Sequence, residues 1–84
     1  MSNISLQRYE VACEILGVLI SNHSRKINEF LASGPPDANS IEQERQNQAL
    51  LRTTRDNLDP SDILAIEKTI ALYCHKARLI CGHH

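Results

Sequence analysis

Residues 6–30, LQRYEVACEILGVLISNHSRKINEF, decide the fold. Leu6, Tyr9, Cys13, Leu16, Ile20, His23, Ile27 and Phe30 follow one another at spacings of 3, 4, 3, 4, 3, 4 and 3. An alternation of three and four matches the pitch of a helix, so these side chains form one stripe along its length; a strand would repeat every second residue instead. Ile63, Ile66, Ile70, Tyr73, Ala77 and Ile80 repeat the same alternation near the other end of the chain. Two long helices with coiled-coil-like seams are therefore written into the sequence, each with a stripe that another helix must cover.

The breaks between the seams are equally plain. Ser33-Gly34-Pro35-Pro36 places a glycine and two prolines where the first seam ends, and neither residue type continues a helix well. Ser40 followed by Gln43 matches a capping box and starts a second helix, with Ser2 or Ser5 as caps of the first. Asp59 before Pro60 reads as an N-cap with proline at the first helical position, and Asp62 adds negative charge to the opening turn. Gly82 closes the third helix. The spans are about 5–32, 40–57 and 60–81. Short connections make sequential neighbours antiparallel. The expectation is all-α: a single domain over residues 1–84, built as a three-helix antiparallel bundle.

A chain of 84 residues buries only about 60% of its unfolded surface, which leaves little stability in hand. Small domains add disulfides, a metal or a second subunit. Three cysteines are an odd number, which argues against a disulfide framework. Hydrophobic residues make up 42% of the chain and aromatics 4%, so the packing is aliphatic and there is ample apolar surface to associate through.

That surface is unevenly distributed. Beyond its seam the first helix carries Ile4, Val11, Ile15 and Val18 on one flank and Ala12 and Leu19 on the other, and only the strip of Glu10, Glu14, Gly17 and Ser21 is polar. The third helix adds Leu64, Leu72 and Leu79 outside its seam. The second has the opposite character: Glu42 to Gln48 contains no apolar residue, and only Ile41, Ala49, Leu50, Leu51 and Leu58 can pack. So wide an apolar surface on the first helix wants more than one neighbour. Val11, Ile15, Val18, Leu19, Leu72 and Leu79 are the residues expected to meet another polypeptide, either a second copy, with a dimer favoured, or a different protein. Gly17, in mid-helix, fits either a close helix approach or a tolerated surface glycine.

Chemistry is not prominent. Cys74 and Cys81 lie seven apart with His75 and His83 nearby, and Cys13 or His84 would have to complete a zinc set. The close cysteine pairs of zinc sites are missing, so the cysteines read as small apolar side chains and no metal or other cofactor is expected. Cys74 and His75 are consecutive, diverge round the helix and cannot form a nucleophile–base pair. There is no glycine-rich phosphate loop, and no catalytic residue is assigned. His23, inside the seam, reads as a partly buried histidine with one hydrogen-bond partner or as a polar residue that fixes helix register, with a pH-sensitive contact as the alternative; replacing it with leucine is expected to stabilise the assembly.

The formal charge is −1 and no basic face stands out, so nucleic acid is disfavoured. The apolar stretch Val11 to Ile20 is interrupted by Glu14 and is about half the ~20 residues of a membrane span. The N-terminus lacks a signal-peptide pattern, and free cysteines suit a reducing cytoplasm. The reading that follows is a non-catalytic protein-interaction module, of the adaptor, co-chaperone or inhibitor kind, acting through helix packing. The alternative is a small dimeric DNA-binding regulator. Against it, the helix after the Asp59-Pro60 turn opens with Ser61-Asp62-Ile63-Leu64, not with base-reading polar side chains.

Overall fold

The computed structural model describes residues 3–34 and 37–82, with side chains in the first helix from Leu6 onward. Ser2, Pro35, Pro36, His83 and His84, and the side chains of Ile4 and Ser5, lie outside the described residues. Three helices account for nearly all of the rest: α1 (Asn3–Ala32), α2 (Ala38–Asn57) and α3 (Ile63–Cys81). At 30 residues, α1 is about 45 Å long and serves as the spine. Both α2 and α3 pack on it, and their own backbones stay apart. Among the described residues no helix is long and apolar enough to cross a membrane.

The chain runs up, down and up. His23 of α1 meets Glu44 of α2 and Ile20 meets Gln48, so those two helices are antiparallel. Arg8 meets Glu67 at one end of α3, and Ile80 lies beside Gly17, Val18 and Ser21 at the other, so α3 runs in the same direction as α1. The result is a flat layer, 52 × 30 × 15 Å, with a radius of gyration of 14.8 Å. A compact domain of this length has a radius of about 12 Å.

The core lies along two sides of α1. Ala12 packs with Leu58, Ile66 and Ile70, and Tyr9, Val11 and Ile15 close in around them. Leu16, Leu19 and Ile20 pack with Leu51, joined by Tyr73 and Ile80. Leu16 and Ile66 are fully buried. The wide apolar surface of α1 does have two neighbours, and both come from its own chain. Polar groups inside this core are satisfied: Thr69 donates to the Ala65 carbonyl at 2.8 Å, and no buried side-chain N or O among the described residues lacks a partner.

The polar opening of α2 is held by polar contacts. Ile41 is buried there. Glu44 accepts from His23 Nδ1 at 2.6 Å and lies 3.7 Å from Lys26 Nζ. Gln48 donates to the Ile20 carbonyl at 3.0 Å and to the Ser24 hydroxyl. Outward-facing Glu42, Gln43, Gln46 and Asn47 bond one another along the helix, the i,i+4 pairing that supports a solvated face.

Helix starts differ from the sequence expectation in ways the caps explain. α2 begins at Ala38 because Asp37 is its N-cap, accepting from the amides of Asn39 and Ser40. Ser40 is already helical, and its hydroxyl donates to Asp37 at 2.8 Å, so no capping box with Gln43 forms. α3 begins at Ile63, not at Pro60, because Asp62 caps it through the Ala65 amide. Asp59 instead closes a turn, accepting from both the amide and the hydroxyl of Ser61, while its carbonyl accepts from Asp62 N at 3.0 Å. At α2 an aspartate with three donors in reach, the amides of Asn39 and Ser40 and the Ser40 hydroxyl, takes the cap from Ser40; at α3 the turn closed by Asp59 leaves the cap to Asp62. Gly34 does follow the end of α1, at a φ of 122° that favours glycine.

Candidate partner-docking surface

A layer one helix thick cannot bury both faces of every helix. In α3 the inner side is Ile66, Thr69, Ile70 and Ala77, all buried against α1. The opposite side carries Leu64, Leu72 and Leu79, which are 84%, 63% and 50% exposed. On α2, Leu51 turns into the core while Leu50 remains 63% exposed. Between the two outer helices runs a furrow of about 260 Å³, lined by Leu19, Leu51 and Tyr73 with Leu50 and Lys76 beside them. A second, more open hollow of about 640 Å³ lies over the polar strip of α1. Glu14, Gly17, Val18 and Ser21 line it, and Ile80 and Cys81 close one end. Nothing lies within 4 Å of where a Cβ would stand on Gly17, so within one chain this glycine serves no close helix approach.

The six residues expected to meet a partner are divided by this geometry. Leu72 and Leu79 are exposed. Val18 is half-buried on the rim of the larger hollow. Val11 and Ile15 are half-buried too, because α3 leans on that flank of α1. Leu19 is a correction: it is only 4% exposed and packs in the core with Leu16, Ile20 and Leu51. Its flank of α1 faces the space between α2 and α3, which the chain covers itself. Leu50 was not singled out for this surface. It sits in Ala49-Leu50-Leu51, and consecutive helical residues diverge by about 100°, so such a run cannot bury every member against one neighbour.

Charge around this surface is uneven. Arg8 donates from Nε and Nη2 to the two carboxylate oxygens of Glu67, both at 2.7 Å. That fork holds the Glu67 carboxyl below its ordinary range and raises the Arg8 guanidinium. Lys68, Lys76 and Arg78 are exposed and have no ion-pair partner among the described residues.

The thiols do not converge. Cys13 and Cys74 are half-buried and Cys81 is exposed. A hydrogen bond with Cys13 raises the Tyr9 phenol. Among the described residues no group of three histidine, cysteine or carboxylate side chains is placed to hold a metal ion. Comparison with protein-family models, with curated proteins and with solved structures finds no match to this chain.

Proposed function

We propose that the protein is a non-catalytic interaction module whose open helical layer is completed by a helix from another polypeptide. The observation that carries this reading is the exposure of Leu50, Leu64, Leu72 and Leu79 on the outer helices of a layer 15 Å thick. Burying one such side chain contributes roughly 1.5–3 kcal/mol. Three or four of them represent an amount comparable to the whole stability of a small domain. Exposed leucines scattered singly are ordinary; here Leu64, Leu72 and Leu79 share the side of α3 turned away from α1. Packing by an additional helix would resemble the closing of a four-helix bundle. The free thiols of Cys13, Cys74 and Cys81 suit a reducing compartment such as the cytoplasm.

The test is affinity capture from the native host with the wild type and with the triple variant Leu50→Ser, Leu72→Ser, Leu79→Ser, followed by mass measurement of what is retained. The proposal expects a stoichiometric complex with the wild type. It expects loss of that complex with the variant, whose melting temperature stays within a few degrees. Equal retention by both proteins, or a wild type that remains a solitary chain throughout, contradicts it.

A further inference from the structure

One strip of α3 combines two observations that together specify an occupant. Lys68, Leu72, Lys76 and Leu79 recur at spacings of 4, 4 and 3, which places them within about 80° of one another round the helix. All four are exposed. The leucines stand out as apolar knobs and the lysines bracket Leu72 one turn above and one turn below. The one carboxylate within α3, Glu67, is committed to Arg8. A chain of net charge −1 thus carries a leucine strip framed by cations that no ion pair among the described residues neutralises.

We propose that this strip docks an acidic amphipathic helix of a different protein, which sets apolar side chains on Leu72 and Leu79 and carboxylates on Lys68 and Lys76. The proposal deepens, and rests on, the interaction-module reading. The two lysines are eight residues apart, about 12 Å along the axis, so the partner's carboxylates are spaced by about two helical turns. A second copy of this chain fits badly. Antiparallel pairing centred on Leu72 sets Lys68 against Lys76 of the other copy, and parallel pairing sets each lysine against itself; like charges so placed disfavour the pair. An anionic bilayer has the right sign, but membrane-surface helices present a broad apolar face with cations along its edges. Here the apolar strip is narrow, two leucines bracketed by Lys68 and Lys76, with Lys76 between them along the axis.

The test uses the full chain and two fluorescent 21-residue helical peptides of heptad pattern. Both have leucine at the seam positions; one carries glutamate and the other lysine at the flanking positions. Fluorescence anisotropy should show the glutamate peptide binding the wild type, more weakly as salt rises. Lys68→Glu with Lys76→Glu should weaken it at least tenfold and transfer preference to the lysine peptide, and Lys68→Gln with Lys76→Gln should fall between. Leu72→Ser with Leu79→Ser should abolish binding of either peptide while circular dichroism melts remain unchanged. Equal affinity for the two peptides overturns the proposal, as does binding that survives the leucine substitutions. So does flotation with phosphatidylserine–phosphatidylcholine vesicles in place of peptide binding, or sedimentation showing a dimer that dissociates in the leucine variant. If native-host capture is lost with the leucine pair but untouched by the lysine reversal, the acidic-helix inference falls and the interaction-module reading stands.

Discussion

His23→Leu is the substitution on which pattern and structure disagree in sign. By pattern alone, a histidine within an apolar seam is a polar interruption, and leucine should improve the packing. In the structure, His23 Nδ1 bonds Glu44 Oε2 at 2.6 Å, and the two side chains are 17% and 13% exposed. A hydrogen bond to a carboxylate contributes about 1.5–3 kcal/mol, and a partner left behind without it retains its desolvation cost. Lys26 Nζ lies 3.7 Å from the other oxygen of Glu44 and offsets part of that loss. Leucine also recovers some apolar burial. The net expectation is destabilisation of about 1–2 kcal/mol. For a domain of this length each kcal/mol moves the midpoint by roughly 4–8 °C, so circular dichroism melts should show a clear fall. Replacing both partners, His23→Leu with Glu44→Leu, should recover most of it, since removing both halves of a polar pair is close to neutral. A double-mutant cycle should then return a coupling of about 1 kcal/mol or more. A rise in the His23→Leu midpoint, or simple additivity of the two substitutions, would refute the reasoning.

Other expectations follow from the same geometry. Gly17→Ala meets open space and should raise stability by up to about 1 kcal/mol through helix propensity; a lower melting temperature in the purified chain would count against it. Leu16→Ala, at a fully buried site, should cost about 2–5 kcal/mol, read from urea unfolding at unchanged slope; a cost near zero would mean the core is not packed as described. Acid should lower the melting temperature. Asp37 and Asp59, bonded to Ser40 and Ser61, and Glu67, bonded to Arg8, all have carboxyl pKa values below the ordinary range in the folded chain. Their contribution is therefore complete at neutral pH and is lost as pH falls below about 4, through the folded-state values. Melting temperatures that hold or rise from pH 5 to pH 3 would contradict that sign.

The helical layout was legible because the alternation of three and four survives over many turns in residues 6–30 and 63–80, and nothing but a helix aligns those positions. Periodicity says which residues share a stripe; it does not say which flanking stripe finds a neighbour. Leu19 and Val18 are adjacent in the chain, yet Leu19 is buried and Val18 only half-buried, because α2 and α3 both lean toward the Leu19 side. The breaks were visible, but the caps are Asp37 and Asp62, not the expected Ser40 and Asp59, because the deciding hydrogen bonds close only in three dimensions. The contacts of Glu44 and Gln48 with α1 were hidden for a similar reason. A run without apolar residues looks like a solvated face, and long-range polar pairing leaves no periodic mark. Leu72 and Leu79 were recognisable as surplus to the seam, and the structure places them outside the core.

The central claim, that this chain leaves apolar surface for another polypeptide to cover, is tested most directly by the solvent accessibility of its leucine methyl groups. Methyl NMR with a soluble paramagnetic probe reads each one separately, first in the purified monomeric chain and then in the complex captured from its host. The account predicts strong attenuation at Leu50, Leu72 and Leu79 in the free chain, with Leu16 and Leu19 unaffected, and protection of Leu72 and Leu79 once the partner is bound. Methyls of Leu72 and Leu79 already shielded in the solitary chain, or still fully accessible in the complex, would contradict it.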